Sequence, residues 1–196
     1  MEIEMTDARF NAFMTYLHVL KEWNRKFNLT GIKKDEDIII KHFLDSLLYL
    51  KFLPKGNIQV ADIGTGAGFP GIPLTIIRPD LKLYLIESSI KKSLFLGQLL
   101  KLLHIQNGTV LEKRVEQIVV GQDMLPVDVA VTRAVFSLRE FVQNVSSLVK
   151  AGGVLIHSKG PKVYEEIKKI SSLRHEITSC MLPITKVKRN IVVIHV

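Results

Sequence analysis

Val60-Ala61-Asp62-Ile63-Gly64-Thr65-Gly66-Ala67-Gly68-Phe69-Pro70-Gly71-Ile72-Pro73 reads as the end of a buried strand, a tight glycine-rich loop and the first turn of a helix. Four glycines fall within the eight residues from Gly64 to Gly71. Glycine lets the backbone turn sharply and approach a ligand with no side chain in the way. A loop of this kind after a strand marks the crevice where an open α/β sheet binds its ligands, beyond the carboxyl ends of the strands.

The pattern on both sides agrees. Strands are expected at Gln59–Ile63, Lys82–Glu87, Gly108–Glu112, Val127–Thr132 and Val154–His157. Helices are expected between them, around 71–78, 90–104, 115–120, 137–149 and 161–170. Alternation of this sort implies parallel strands with right-handed crossovers, a mostly parallel, Rossmann-like sheet with helices on both faces. Ile177–Leu182 and Ile191–Val196 have no helix between them and read as a closing antiparallel edge pair. Two helices precede the first strand. Thr6 and Asp7 open one that runs to about Phe27, with Phe10, Phe13, Met14, Leu17 and Leu20 at helical spacing. Asp35 opens the other, with Ile38, Ile39, Phe43, Leu47 and Leu50 inside and Pro54 past its end. Residues 1–55 are therefore expected to form a helical cap on a core spanning 56–196, all within one domain.

With 196 residues and 47% apolar content the chain has material for a sizeable core. No apolar run reaches the length of a membrane span, and the acidic start Met1-Glu2-Ile3-Glu4 lacks the blocks of a signal peptide. Cys180 is the sole cysteine, so no internal disulfide is expected, and the protein is read as cytoplasmic and monomeric. The net charge is +8, from 27 Lys and Arg against 19 Asp and Glu. That excess fits a polyanionic partner, nucleic acid first, or a set of dispersed, solvated lysines.

Gly66, Gly68 and Gly71 also match a dinucleotide fingerprint. Asp62 speaks against it, since a carboxylate beside the loop repels a pyrophosphate. Pro70 and Pro73 remove backbone donors from the helix start. A sulfonium cofactor, S-adenosyl-methionine, has no phosphate and carries an ammonium that a nearby carboxylate suits. Glu87 ends the second strand about twenty residues past the loop, where an acid accepts the hydroxyls of a ribose; the alternative is a surface carboxylate facing Lys91 and Lys92. Glu116 follows the third strand, near the expected adenine edge, although acids favour helix starts in any case. Arg133 ends the fourth strand and faces the same crevice. It would grip a cofactor carboxylate or an RNA phosphate in bidentate fashion, or else pair with Asp128 or Glu140. His42, Asp45 and Ser46 share one face of the second helix, roughly opposite its apolar face. They are either solvated or packed against the loop; they are not a triad, and no metal site is expected around His42. Trp23 and Phe27 would stack on a flipped base or simply join the core.

Five segments in order, Trp23-Asn24-Arg25-Lys26-Phe27-Asn28-Leu29-Thr30, His42-Phe43-Leu44-Asp45-Ser46, Asp62 to Pro73, Arg114-Val115-Glu116 and Thr132-Arg133-Ala134-Val135-Phe136-Ser137-Leu138, resemble those of the GidB family. These are the bacterial 16S ribosomal RNA 7-methylguanine methyltransferases. Lys159-Gly160 and the closing Arg189-Asn190-Ile191-Val192-Val193-Ile194 fit as well. The resemblance runs from about residue 20 onward. It implies that Gly64, Phe69, Val115, Glu116 and Arg133 line the cofactor site, beside Asp62, Gly66, Gly68 and Glu87 from the loop argument. Arg133 is the candidate catalytic residue. Val115 stands where the family often has alanine and Thr132 where it often has serine; neither change removes a needed group.

The implied reaction transfers a methyl group from S-adenosyl-methionine to guanine N7 of 16S ribosomal RNA, alone or in the small ribosomal subunit. N7 has a free lone pair and no proton to lose, so alignment supplies most of the rate without a general base. Cys180 lies in the expected edge pair, away from the loop, which argues against a covalent cysteine route. An NAD-linked oxidoreductase and a non-catalytic RNA-binding protein are the rival readings; Asp62 disfavours the first, and the intact loop with Glu87 disfavours the second.

Overall fold

The structure, a computed structural model, describes residues 3–133 and 135–196. Met1, Glu2 and Ala134, the last a member of the strand-end segment quoted above, lie outside the described residues. Seven strands form one sheet: β1 (Gln59–Ile63), β2 (Lys82–Ile86), β3 (Gly108–Leu111), β4 (Val127–Arg133), β5 (Val149–Lys159), β6 (His175–Met181) and β7 (Lys188–His195). Their order is β3-β2-β1-β4-β5-β7-β6. The first five run parallel; β7 is antiparallel to β5 and β6 is antiparallel to β7. The chain leaves β1 toward β2 and β3, then returns to β4 on the other side. The topological switch therefore falls between β1 and β4, whose carboxyl ends carry the glycine loop and Arg133.

Alternate residues of each strand face opposite ways, and both faces are covered. Val60, Leu83, Leu85, Val129 and Val131 share one hydrophobic cluster with α1 (Asp7–Phe27), α4 (Gly71–Ile77) and α5 (Ile90–Leu102). Ala61, Ile63, Ile86, Ala130 and Leu155 share the other with α6 (Leu138–Val145) and α7 (Val163–Ile167). The cap thus belongs to the same core as the sheet. In α1 the Thr6 hydroxyl accepts from Arg9 N–H, and Asn28 ends the helix in a left-handed conformation. Phe13, Leu17 and Leu20 are buried as expected, together with Tyr16 and Val19, whereas Phe10 and Met14 are exposed. At 3.6 residues per turn those two fall on the margin of the buried arc.

Other differences are local. The expected helix at 115–120 is a single 3-10 turn, Val115–Gln117, and the one at 161–170 is α7 followed by a 3-10 turn. β5 begins at Val149, five residues earlier than expected, because Val127 and Val149 pair across an irregularity in the register. The second cap helix is not continuous. It runs as α2 (Asp35–Ile38), a π-helical stretch (Ile39–Leu44), α3 (Asp45–Leu47) and a 3-10 turn (Leu48–Phe52). A π-helical stretch holds extra residue per turn and shifts the phase of all that follows. Ile39, at its start, is exposed, and beyond it Asp45 and Ser46, expected opposite the apolar face, are turned inward and buried. No described helix is long and apolar enough to cross a membrane.

Candidate active site

The glycine loop owes its shape to contacts on every side. Gly64 N–H and Thr65 N–H donate to Ile86 O of β2 at 2.9 and 3.2 Å. Tyr16 of α1, wholly buried, donates its hydroxyl to Ala67 O. Gly68 has φ +97°, and a Cβ there would lie 2.7 Å from both Ile72 Cδ1 and Tyr16 Oη. Gly64 has φ +63°, and a Cβ there would press to 2.9 Å on Val135 Cγ2. Any other residue at these two positions would meet both backbone strain and a collision.

Asp62 is wholly buried. Its Oδ2 accepts from Thr65 Oγ1 at 2.6 Å and from Gly71 N–H at 2.7 Å, tying the loop to the helix that follows. Its Oδ1 has no partner. Burial pushes this carboxyl up to about 6, against the pull of those two donors and of Arg133. Glu87 directly follows β2 and is buried; one oxygen accepts from Gly66 N–H at 3.0 Å and the other from Ser89 N–H at 2.9 Å. It faces neither Lys91 nor Lys92 as an ion-pair partner among the described residues.

Two hollows open on this edge and meet at Gly64, Lys92 and Val135. One, of about 300 Å³, is lined by Gly64, Glu87, Arg114, Val115, Glu116 and Phe136 among others. The second, of about 520 Å³, is lined by His42, Gly66, Phe69, Arg133, Lys159 and Arg189 among others. Volumes of this size suit a small-molecule ligand. Of the residues singled out from sequence, Gly64, Gly66, Phe69, Glu87, Val115, Glu116 and Arg133 line this crevice. Asp62 and Gly68 do not: both are buried in the loop's own packing, and they shape it from behind.

The floor of the second hollow is a network that joins the π stretch, α3, β4 and β7. Arg133 donates to Lys41 O at 3.1 Å and to His42 Nδ1 at 2.8 Å, and its guanidinium lies 5.1 Å from the Phe69 ring centre. Asp45, 1% exposed, accepts from Arg189 Nε at 3.0 and 3.2 Å and lies 3.5 Å from Arg133 Nη1. Asp128 and Glu140, the other candidate partners of Arg133, are engaged elsewhere, with Lys150 and with the N-cap residue Ser137. His42 stacks on Phe69 at 4.4 Å and 10°. Arginine only donates, so His42 Nδ1 is an acceptor, its proton sits on Nε2, and that N–H donates to Thr30 Oγ1 at 2.8 Å. Burial, then the Arg133 charge, hold the ring's pKa down at about 3, so it is neutral at physiological pH.

The loop after β4 is held from the other side. Lys159 Nζ donates to Phe136 O, and His157 Nε2 lies 2.9 Å from the same oxygen. Tyr49, wholly buried, donates to Thr132 O at 2.6 Å and accepts from Ser158 N–H at 3.1 Å, so one hydroxyl bridges β4 and β5 next to Arg133. Nothing in the sequence pattern distinguished Tyr49 from an ordinary core aromatic. Trp23 packs on Phe95 in the core, and Phe27 lies against Trp23 with its outer face near Lys91. The convergence of basic residues is partial. Lys41, Lys92, Arg133, Lys159 and Arg189 reach the second hollow from five elements.

Comparison with known proteins places this geometry. Among solved structures, a SAM dependent methyltransferase from Aquifex aeolicus superposes with a TM-score of 0.61 at 18% identity, over 82% of this chain and 93% of that one. TYW2 of M. jannaschii, solved in complex with AdoMet, gives 0.58 at 18% identity, over 77% and 74%. At such identity they attest to the fold. Curated relatives come much nearer in sequence. The ribosomal RNA small subunit methyltransferase G of Acetivibrio thermocellus is 37% identical over 98% of this chain and 82% of its own length. That of Alkaliphilus oremlandii is 38% identical over 99% and 85%. The family model for rRNA small subunit methyltransferase G matches residues 9–192. The chain therefore belongs to the rRNA small subunit methyltransferase G family, GidB.

Proposed function

We propose that this chain is an enzyme that methylates N7 of a guanine in 16S ribosomal RNA with S-adenosyl-methionine as donor, acting in the cytoplasm as a monomer on the RNA or the small subunit. The observation that carries the reading is the two-part crevice at the switch point, with Glu87 and Glu116 in the hollow on one side of Gly64 and Lys41, Arg133, Lys159 and Arg189 in the hollow on the other. The residues present fit the cofactor. Glu87 is fixed at the mouth of the first hollow by two backbone N–H groups, and its remaining lone pairs are free to accept ribose hydroxyls. Val115 offers an apolar wall and Glu116 an acceptor to an adenine. Across Gly64, the Arg133 guanidinium is available to a carboxylate. When bound, the sulfonium supplies an electrophilic methyl group.

The chain's own residues have little proton chemistry to perform. Guanine N7 attacks with its lone pair and ends as a cation, so no base is required. His42 accords with that: its one lone pair is taken by Arg133 and its ring stays neutral, which suits a packing and orienting role. Lys41, Lys159, Arg133 and Arg189 lie beside Asp37, Glu166 and Asp45, and with Lys92 they outnumber those carboxylates around the second hollow, an excess that attracts RNA phosphate. N7 lies in the deep, narrow major groove of duplex RNA, so the target base must be in a loop or otherwise open.

Two measurements test the reading. Isothermal titration should show saturable binding of S-adenosyl-methionine and its demethylated product and none of NAD. Mass mapping of 16S ribosomal RNA from cells with and without the protein should differ by one methyl group on one guanine. Tight NAD binding, or identical maps, would overturn the proposal.

A further inference from the structure

The hairpin that joins β6 to β7 leaves the sheet at the same edge as the crevice. Asn190 of β7 pairs with Lys159 at the carboxyl end of β5, so residues 182–187 stand next to the point where Lys159 and Arg189 line the second hollow. The turn at its tip is Leu182-Pro183-Ile184-Thr185, closed by Thr185 N–H on Leu182 O at 3.2 Å. Proline in second place and a positive φ in third is the pattern of a type II turn, whose third position belongs to glycine or asparagine. Ile184 occupies it with φ +64°. A β-branched side chain is a true outlier in that region. Ile184 is also 87% exposed, so burial does not account for it either.

Its surroundings are well tied. Leu182 is wholly buried beneath the tip and bonds Val187 O through its N–H at 2.9 Å. Thr185 Oγ1 donates to Leu182 O at 3.0 Å and accepts from Val187 N–H at 3.1 Å. A fixed turn thus holds Ile184 outward, with Met181 and Val187 also exposed on the same hairpin. Lys186 and Lys188, both exposed, follow Ile184 in the chain and have no carboxylate partner among the described residues. Strained backbone of this sort persists where function needs it.

We propose that the β6–β7 hairpin is an RNA-docking finger, in which Ile184 packs on the face of an unstacked base while Lys186 and Lys188 take the phosphates beside it. It rests on the RNA methyltransferase reading and adds to it a contact outside the crevice. A small apolar tip, Ile184 with Met181 and Val187 beside it, followed by two lysines that have no carboxylate partner among the described residues, suits RNA. Lysine is depleted from protein interfaces. The chain's +8 charge points the same way.

Ile184→Gly and Ile184→Asn both suit the turn, so neither should lower the melting temperature or the affinity for S-adenosyl-methionine. With protein-free 16S transcript, the KM for RNA should rise roughly tenfold in each, the effect of losing one base contact, with kcat nearly unchanged. Lys186→Ala and Lys188→Ala should each lower the salt slope of RNA binding by about one. Wild-type KM on the transcript in both Ile184 variants would overturn the proposal. So would a loss confined to intact small subunits, which would mean a ribosomal protein contact. Should the wild type methylate neither substrate, the methyltransferase reading itself fails; filter binding of the transcript by wild type and Ile184→Gly then still decides the finger, equal affinity refuting it.

Discussion

Asp62→Asn should change the pH dependence of stability by a calculable amount. The wild-type carboxyl is wholly buried, keeps an unpartnered Oδ1 and titrates at about 6 rather than 3.8. Its folded pKa lies above its unfolded one. The stability this carboxyl contributes is present below about pH 4 and lost as pH rises through 6, because the folded state must then carry a buried charge. A shift from 3.8 to about 6 corresponds to on the order of 3 kcal/mol. Asparagine can still accept from Thr65 Oγ1 and Gly71 N–H, while its amide group takes the place of the unpartnered oxygen. That exchange adds a constant offset, which cancels between pH values. The unfolding free energy of Asp62→Asn minus that of the wild type should therefore grow by about 2–3 kcal/mol from pH 4 to pH 7.5. Urea denaturation at several pH values, with linear extrapolation, measures it. A difference independent of pH would refute the reasoning, since Asp62 would then ionise as it does in the unfolded chain.

Glu87→Gln should weaken S-adenosyl-methionine binding by ~1–3 kcal/mol, the cost of losing charged acceptors, and leave RNA affinity unchanged; calorimetry and filter binding separate the two. Arg133→Lys keeps the charge but cannot reach Lys41 O, His42 Nδ1 and Asp45 together. Methyl transfer should fall at least about tenfold in a protein that circular dichroism shows to be folded, and a wild-type rate would reduce Arg133 to a structural ion-pair partner. Tyr49→Phe removes the hydroxyl bridge between Thr132 O and Ser158 N–H. It should cost about 1–3 kcal/mol in urea melts and lower kcat more than it raises the KM for RNA; an unchanged kcat would mean that the bridge does not position Arg133.

Much of this protein was legible before any coordinates. Periodicity places all seven strands: β1, β2, β4 and β7 are apolar runs buried on both faces, while the edge strands β3 and β6 are more exposed. Glu87 and Arg133 were read as facing the crevice because strand ends at a switch point have nowhere else to face. These are local properties: a strand's period and a turn's glycines depend on neighbours a few residues away. The boundaries of the short 3-10 and α segments were poorer, since their lengths depend on what packs against them.

Contacts distant in sequence were another matter, and they decide how the site is built. The place of Asp62 beside the loop suits a ligand contact, and the fold turns it back to hold Thr65 and Gly71. Gly68, expected to let the backbone approach a ligand, makes room for Tyr16 and Ile72. The face of His42, Asp45 and Ser46 was ambiguous because a continuous α-helix would have set it opposite the core; the π-helical stretch rotates it onto the loop and onto Arg133 and Arg189, 91 and 144 residues further along. Sequence by itself determined the class of fold, the edge that carries the crevice and the family to which the chain belongs, because those follow from local pattern. Only the tertiary structure decided which polar side chains face the crevice and which are buried as its supports, because the partners that satisfy a buried charge come from the far ends of the chain.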